Sequence, residues 1–306
     1  MGLAIGVDIG GTKVLAGVVD DAGKVIAEAR RDTPADDVAR TRDLIVEVIT
    51  ELAAAHDCEA AGIGAAGWID AGRSTVLYAP NLAWRREPLR DSIAAQVTLP
   101  VFVDNDANAA AWAEYRFGAG QGARSLVLLT VGTGIGGGII LDGHLVRGAH
   151  GIAAEFGHTL AVEDGHPCGC GARGCLEQYT SGTALVRYAR ASQDLLARVA
   201  GDPSKLDGPA VTRAAQDGDP AARAAFAEAG RWLGYGMADA VQILDPDVIV
   251  VGGGVSEAGE LLLDPARRAY AERLAQRGKL PVADIRLARL GNQAGLVGAA
   301  DLARTR

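Results

Sequence analysis

Two stretches of the chain repeat the same order of apolar runs and turns. Residues 3–31, LAIGVDIGGTKVLAGVVDDAGKVIAEARR, contain three apolar runs separated by a Gly-Gly turn and an Asp-Asp-Ala-Gly turn. Residues 125–148, SLVLLTVGTGIGGGIILDGHLVRG, repeat this order with a glycine-rich turn and an Asp-Gly turn. Each stretch is typical of three strands in a meander. The repetition indicates a weak internal duplication and predicts two related lobes.

Helix and strand patterns alternate between these two stretches. Helical patterns cover about residues 36–55 and 86–97, and apolar strand patterns cover residues 60–67 (AAGIGAAG) and 100–106 (PVFVDND). Such alternation is typical of a partly parallel sheet with helices on its faces.

The second half of the chain is mostly helical after Thr180. Asp219 followed by Pro220 supplies an N-cap and a first-turn proline, which predicts a long helix through Leu244. Residues 245–259, DPDVIVVGGGVSEAG, then return to a strand, a glycine turn and a helix.

The length of the chain allows two hydrophobic cores. Its 306 residues are 49% hydrophobic and include no low-complexity tract. We therefore expect an α/β fold of two lobes, each a mixed sheet flanked by helices. The smaller lobe is expected to span residues 1–115 and to include a C-terminal helix at about 295–306, and the larger lobe residues 116–294.

Composition and charge exclude several classes of protein. The formal net charge of −8 argues against a nucleic-acid partner, because such proteins usually carry a basic face. The N-terminus MGLAIGVDIGG lacks a basic region ahead of its short apolar run, and the longest apolar stretch, residues 126–141, contains five glycines. Neither is typical of a signal peptide or a membrane span. We expect a cytoplasmic protein that starts at residue 1 or 2 and has no membrane partner.

The first glycine turn lies in VDIGGTKV, residues 7–14. It lacks the spacing of a P-loop and joins two strand patterns, so a hairpin is expected. A plain turn that needs positive φ would explain Gly10 and Gly11 alone. With Asp8 before them and Thr12 and Lys13 after them, however, a carboxylate, bare amides and a hydroxyl converge where a phosphate and its metal ion would bind.

Two further glycine turns complete an ordered set. The turn at residues 132–138, GTGIGGG, offers Thr133 and bare amides from the second repeat, so the two hairpins predict a phosphate-binding cleft between the lobes. Residues 252–254, Gly-Gly-Gly, end an apolar strand, where α/β sheets place ligands, although tight packing of the next helix explains them equally well. Together the three turns resemble the sugar kinase, heat-shock ATPase and actin superfamily, in which a nucleotide lies between two duplicated lobes.

The segment VFVDNDANAA, residues 101–110, ends an apolar strand in polar groups and enters an alanine-rich helix. Asn105 or Asp106 would cap that helix. Alternatively, a carboxylate at this strand end accepts the proton of a substrate hydroxyl. That role suits phosphoryl transfer, in which positioning and charge neutralisation matter more than a strong base.

Three of the four cysteines lie in CGCGARGC, residues 168–175. Three thiolates need one more ligand for a tetrahedral zinc site, and His158 and His166 are the nearby candidates. A redox thiol is the alternative, but the cluster lacks the CxxC spacing of such sites. The fourth, Cys58, stands in a helical pattern where packing is the ordinary role. Structural zinc would also hold the neighbouring polar residues Glu155 and Glu177 in place.

The motifs are together specific enough to identify a family. AEFGH (154–158) followed by CGCGARGCLEQYTSG (168–182) resembles the motif of the ROK family of repressors, open reading frames and kinases. DIGGTK (8–13), DNDANAAA (104–111) and GTGIGGG (132–138) match its other motifs in order, over essentially the whole chain. Within the family the chain is most similar to the ATP-dependent glucokinases of actinobacteria.

The resemblance implies a two-lobed, actin-like ATPase fold and transfer of the γ-phosphate of ATP to the 6-hydroxyl of glucose, with Mg²⁺ and structural zinc. It implies that Asp106 is the general base. The implied sugar-binding residues are Gly67, Asn81, Asn105, Asp106, Glu155, His158 and Glu177. The implied nucleotide-binding residues are Asp8, Gly10, Gly11, Thr12, Lys13, Thr133, Gly134, Gly252, Gly253 and Gly254. The implied zinc ligands are His158, Cys168, Cys170 and Cys175, with the other ring nitrogen of His158 facing the sugar.

Several alternatives stay open at this level. Common turn chemistry also explains Gly67 and Asn81. The same motifs occur in kinases for fructose, mannose, N-acetylmannosamine or N-acetylglucosamine, and some relatives use polyphosphate as the donor. A sugar-responsive repressor would need a helix-turn-helix ahead of the first strand, and a non-catalytic sugar sensor would keep the fold without turnover. Relatives are commonly homodimers or homotetramers, and we expect a dimer at least.

Overall fold

The structure is a computed structural model that describes residues 2–198 and 201–305. Its strands, in chain order, are β1 (Leu3–Ile9), β2 (Lys13–Val19), β3 (Val25–Asp32), β4 (Cys58–Ala65), β5 (Trp68–Ile69), β6 (Val76–Tyr78), β7 (Arg85–Glu87), β8 (Val101–Asn105), β9 (Leu126–Val131), β10 (Ile135–Leu141), β11 (His144–Leu145), β12 (Val248–Gly252) and β13 (Asp284–Leu287). Its helices are α1 (Val38–Ala55), α2 (Leu89–Ala94), α3 (Asp106–Phe117), α4 (Glu177–Thr180), α5 (Gly182–Arg190), α6 (Gln193–Arg198), α7 (Gly208–Gln216), α8 (Pro220–Leu244), α9 (Glu260–Arg273) and α10 (Ala294–Arg304).

The two main sheets share one strand order. The first runs β3-β2-β1-β4-β8, in which the meander is antiparallel and β4 and β8 join in parallel. The second runs β11-β10-β9-β12-β13, with β10 and β11 antiparallel and β12 and β13 parallel. The internal duplication predicted from the two meander patterns is therefore confirmed.

Both faces of the first sheet's central strands are buried. In β1 and β4 most residues are buried, whereas in the edge strand β3 only Ala29 is. Helix α1 begins at the N-cap Asp37, whose carboxylate accepts a hydrogen bond from the backbone of Arg40, and it buries Leu44, Ile45 and Val48 in the core of this sheet. Apolar runs without strict alternation are typical of strands covered on both sides.

One predicted helix is partly wrong. The pattern at residues 86–97 gives only the short α2, because Arg85–Glu87 is the strand β7 of a small antiparallel sheet, β5-β6-β7. Pro88 precedes α2 and restricts Glu87 to an extended backbone. The long helix predicted through Leu244 is confirmed as α8, where the Asp219 carboxylate accepts a hydrogen bond from the backbone of Ala222.

The chain divides into two compact units. The first comprises Met1–Leu128, Gly138–Ala154 and Arg289–Arg306, and the second Leu129–Gly137 and Glu155–Ala288. These bounds differ from the predicted lobes at residues 116–128, 138–154 and 289–294. In the segment 138–154, Arg147 forms an ion pair with Asp104, a link between distant positions that sequence patterns do not reveal. Residue 306, which the predicted C-terminal helix includes, lies outside the described residues.

Helix α10 packs very closely on the first sheet. A Cβ atom on Gly6 of β1 or on Gly62 of β4 would lie only 1.8 Å from a backbone oxygen of α10, that of Leu296 or Ala299. Helix α10 packs as closely on helix α3. A Cβ atom on Gly298 of α10 would lie 1.7 Å from the carbonyl oxygen of Ala109 in α3. Only glycine permits helix and sheet backbones to approach so closely. Across the described part of the chain, no helix is both long enough and apolar enough to cross a membrane.

We expect Gly62→Ala to lower the free energy of unfolding by about 3 kcal/mol, because backbone atoms of α10 must move to admit the methyl group. Gly208→Ala is the matched control, since a Cβ atom on that first residue of α7 meets no atom within 4 Å. Urea unfolding of both variants measures the difference. Equal stability of the two would contradict the close packing of α10.

Candidate active site and metal centre

Four potential metal ligands converge in the second unit. The ligand atoms of His158, Cys168, Cys170 and Cys175 all lie within 4.8 Å of one another. Sγ of Cys170 is 3.7 Å from Sγ of Cys175, and Sγ of Cys168 is 3.6 Å from Nδ1 of His158. Tetrahedral zinc with Zn–S bonds of about 2.3 Å needs sulfur atoms roughly 3.8 Å apart. The donor set and its spacing therefore fit a structural zinc ion.

Tight turns bring these ligands together. The backbone N–H of Cys168 donates to the carbonyl of Ala172, and Gly171 and Gly174 adopt positive φ values of 94° and 75°. Burial and the neighbouring thiols raise the pKa of Cys175 to about 12. A bound cation would offset this rise in the pKa, because metal ions stabilise thiolates. His166, the other candidate ligand, is not part of the group; its ring lies 5.5 Å from that of Tyr179.

The two ring nitrogens of His158 face different groups. Nδ1 lies on the cysteine side, whereas Nε2 is 3.8 Å from Oε2 of Glu155. Metal binding at Nδ1 would leave the proton on Nε2, beside that carboxylate. Glu155 and His158 are thus fixed as a pair by a short 3₁₀ turn, Phe156–His158.

The first glycine turn forms the predicted hairpin. The backbone N–H of Gly10 donates to the carbonyl of Lys13 at 3.0 Å, and β1 and β2 pair antiparallel on either side of it. A Cβ atom on Gly11 would lie 2.8 Å from both Cβ and the carbonyl oxygen of Asn81. The turn and the loop that carries Asn81 are therefore in direct backbone contact.

Asp8 lies beside this turn, and its carboxylate has a raised pKa. Burial, followed by the charge of Asp106, raises the pKa of Asp8 to about 7, while Lys13 acts in the opposite direction. A divalent cation would relieve both effects, since it supplies positive charge to a buried, electron-rich site. The surroundings of Asp8 therefore fit Mg²⁺ bound with a phosphate.

Hydrogen bonds hold the first two residues of the second glycine turn. The backbone N–H of Gly182 donates to the carbonyl of Gly132 at 2.8 Å, and Oγ1 of Thr183 donates to the carbonyl of Thr133 at 2.8 Å. The sequence patterns did not single out Gly182 or Thr183. The Ser-Gly pair at the start of α5 was the available signal, since Ser181 is that helix's N-cap.

A large cavity lies beside this turn within the second unit. Its volume is about 1100 Å³, and Gly132, Thr133, Gly182, Thr183 and Gly254 contribute to its lining. At the third glycine turn the structure shows close packing against the end of strand β9. Gly253 has a φ of 85° and lies against the backbone of Val131, whereas a Cβ atom on Gly254 would meet no atom within 4 Å.

Asn105 and Asp106 stand at the junction of β8 and α3. Oδ1 of Asn105 accepts a hydrogen bond from the backbone of Asn108, which confirms Asn105 as the N-cap. Nδ2 of Asn105 donates to the carbonyl of Gly67 at 3.0 Å. Oδ1 of Asp106 accepts from the backbone N–H of Ala107, and burial raises the pKa of Asp106. The carboxylate is thus oriented and poorly solvated.

Asp104, the residue before Asn105 and Asp106, contacts two arginines that the sequence patterns did not reveal. Asp104 is buried, and its Oδ2 accepts hydrogen bonds from Nε and Nη2 of Arg147 at 2.8 and 2.7 Å. Nε of Arg73 lies 3.4 Å from the same oxygen. Neither arginine is near Asp104 in the sequence, so no local pattern could have found them.

The remaining predicted sugar residues occupy fixed turns. Gly67 has a φ of 123°, and a Cβ atom there would lie 2.3 Å from the carbonyl oxygen of Tyr78. Nη1 of Arg85 donates to the carbonyls of Ala79 and Leu82, on either side of Asn81. The turns expected from Gly67 and the Pro-Asn pair are present, and both loops are rigidly anchored.

Fold and motifs together define a class of protein. The model of the ROK family matches residues 4–306, and the chain belongs to that family. The predicted two-lobed, actin-like α/β fold class is confirmed by its structural neighbours.

Particular members of the family are similar to the whole chain. The glucokinase of Streptomyces coelicolor is 50% identical over 99% of this chain and 98% of its own. The glucokinase of Thermotoga maritima is 36% identical over 99% and 97%. A crystal structure of a ROK family glucokinase from Streptomyces griseus, in complex with glucose and AMPPNP, superposes with a TM-score of 0.92 at 50% identity and covers 100% of both chains.

We expect Cys170→Ser to lower the bound zinc and the melting temperature together, the latter by about 5–10 °C, because a structural metal contributes directly to folding free energy. Metal analysis and thermal unfolding of the purified variant measure both. Cys58→Ser is the control, since that cysteine is not part of the metal cluster. A full complement of zinc in Cys170→Ser would refute the site.

Proposed function

We propose that this ROK-family protein is an ATP-dependent glucokinase, which transfers the γ-phosphate of ATP to the 6-hydroxyl of glucose. The observation that carries the proposal is the full-length similarity, in sequence and structure, to a glucokinase that binds glucose and AMPPNP. The glucokinase relatives at 50% and 36% identity support the same activity.

Asp106 is the proposed general base. As the 6-hydroxyl oxygen bonds to the γ-phosphorus, its proton passes to the Asp106 carboxylate, and the bond from that phosphorus to the β–γ bridging oxygen breaks to release ADP. The raised pKa of Asp106 suits proton acceptance, and the bond from Ala107 N–H keeps the carboxylate oriented. Asn105, which caps the same helix, is fixed in the adjoining position.

The sugar contacts are proposed from the motif matches and from local rigidity. We assign hydrogen bonds to glucose hydroxyls to the side chains of Asn81, Asn105, Glu155, His158 and Glu177, and a backbone contact to Gly67. Anchored turns and the Glu155–His158 pair support this assignment, because preorganised groups lose little entropy when they bind.

The nucleotide contacts follow the three glycine turns. Asp8, Gly10, Gly11, Thr12 and Lys13 are assigned to the phosphates and their Mg²⁺. Thr133 and Gly134 are assigned to the phosphates as well, and Gly252, Gly253 and Gly254 to the adenosine. The cavity of about 1100 Å³ that Thr133 and Gly254 help to line is large enough for a nucleotide. Bound Mg²⁺ would neutralise phosphate charge as the transferred group moves.

Zinc, in this proposal, has a structural role. A closed set of one imidazole and three thiolates leaves no open position for substrate, which is typical of structural sites. The protein is further proposed to be cytoplasmic and to form a homodimer or homotetramer, and to be divided functionally as predicted, with the first phosphate motif and Asp106 in one lobe and zinc and adenosine in the other.

A hexose panel tests the substrate. With Mg-ATP, we expect kcat/KM for glucose to exceed that for mannose, fructose and the N-acetylated amino sugars by at least about tenfold, or ~1.4 kcal/mol of transition-state binding. Coupled ADP release measures each rate. Higher kcat/KM for another hexose would replace glucose as the substrate, and turnover with polyphosphate but not ATP would replace the donor.

The base is tested by Asp106→Asn. Turnover should fall by about 1000-fold while the glucose dissociation constant changes little, because an amide keeps the size of the side chain but cannot accept the proton. Calorimetry and coupled kinetics separate the two quantities. Asp142→Asn, an exposed residue of an ion pair with Arg124, is the control and should keep full activity. Undiminished turnover in Asp106→Asn would remove that residue from the base role.

A further inference from the structure

We propose that Glu177 is a positioning residue for the nucleotide phosphates: its carboxylate clamps the second glycine turn, and the zinc centre fixes the place of that carboxylate. The proposal deepens the proposed function, on which the identity of the ligand at this turn rests. It gives Glu177 a role toward the phosphate donor in addition to its proposed contact with the sugar.

The clamp is a direct hydrogen bond to the turn. Oε2 of Glu177 accepts from the backbone N–H of Ile135 at 2.9 Å. The same oxygen lies so close to Gly134 that a Cβ atom there would be 2.2 Å away. The carboxylate therefore rests directly on the backbone of the turn, and glycine at position 134 makes that approach possible.

Two further bonds to the turn come from the segment that immediately follows Glu177. Gly182 and Thr183 bond to the carbonyls of Gly132 and Thr133. Residues 177–183 thus contact all four consecutive turn residues 132–135. Three of the four are held by hydrogen bonds, and Gly134 is in close contact with the Glu177 carboxylate. Fixing these peptide planes also fixes the directions of their remaining N–H groups, which are the groups that bind phosphate in such turns.

The same segment is joined to the metal ligands by the backbone. Cys175 precedes Glu177 by two residues, and its carbonyl accepts from the backbone N–H of Gln178 at 2.9 Å in the first turn of α4. The backbone N–H of Leu176 donates to the carbonyl of Thr159, which follows the ligand His158. Holding His158 and Cys175 on one metal ion therefore sets where α4 begins and where Glu177 lies.

Two substitutions separate the clamp from other roles of Glu177. Glu177→Ala removes the acceptor, whereas Glu177→Gln keeps an amide oxygen that accepts from Ile135 N–H. Without sugar present, calorimetric titration with Mg-ADP should show about tenfold weaker binding in Glu177→Ala and a change of less than about threefold in Glu177→Gln. Glu163→Ala, in the exposed part of the loop between His158 and Cys168, is the control and should bind ADP as the wild type does.

Hydrogen exchange tests the clamp without any nucleotide. Backbone amides of residues 129–141 should exchange at least about tenfold faster in Glu177→Ala than in Glu177→Gln or the wild type. Removing zinc with a chelator should speed the exchange of the same amides in the wild type. It should add little in Glu177→Ala, because zinc removal and the substitution release the same contact between residue 177 and the turn. Thermal unfolding before and after chelation verifies that the compared proteins are folded.

The outcomes distinguish this inference from the proposed function. Unchanged exchange and unchanged ADP affinity in Glu177→Ala would overturn the clamp. A different outcome is that Glu177→Ala exchanges faster but that even the wild type binds no ADP. This outcome would support the clamp and overturn ATP as the donor. Equal losses in Glu177→Ala and Glu177→Gln would show that charge and not the bond to Ile135 is what matters, and would overturn the positioning role.

Discussion

Close approach of one backbone to another, permitted by glycine, is the constraint on which both units depend. In the first unit, Gly6 and Gly62 let the carbonyls of α10 come against the central strands of the sheet. In the second, Gly253 lies against the backbone of Val131, at the strand end from which the second glycine turn emerges. The same absence of Cβ atoms suits the proposed binding of phosphate, because a bare backbone can approach either another peptide or a phosphate. For the third turn, ligand binding and tight packing of the next helix were the alternative interpretations of the sequence, and the close packing found is against the backbone of Val131.

Three carboxylates in the first unit, those of Asp104, Asp106 and Asp8, have different electrostatic surroundings. Asp104 is neutralised by Arg147 and Arg73, so its charge is balanced inside the protein. Asp106 is oriented by a hydrogen bond from the backbone of Ala107, and burial raises its pKa. Asp8, with its pKa near 7, has only Lys13 to lower it against burial and a second carboxylate. These surroundings are consistent with the proposed roles of Asp106 as proton acceptor and Asp8 as cation ligand, while Asp104 is held in an ion pair.

The candidate site was largely predictable where its chemistry is local in the sequence. The cysteine spacing indicated zinc, and the glycine turns indicated hairpins that bind phosphate. The two possible fourth ligands, His158 and His166, could not be separated by spacing, since both lie within reach of the cluster along the chain. Folding separates them: His158 is held in a 3₁₀ turn facing the thiols, and His166 contacts Tyr179. The short sheet that replaced part of a predicted helix was missed because strands of two or three residues are too short to show a period.

The sequence by itself determined the α/β class, the duplicated meanders, the capping of α8 and the kinds of ligand that each motif offers, because these depend on neighbours along the chain. Only the tertiary structure decided which distant groups meet. It placed Arg147 on Asp104, Glu177 on the amide of Ile135, and Asn81 against Gly11. It also raised the pKa of Asp8 and of Asp106, since burial and neighbouring charges set a pKa and neither is written in the spacing of residues. Side-chain chemistry can be read along a chain, whereas solvation and proximity exist only after folding.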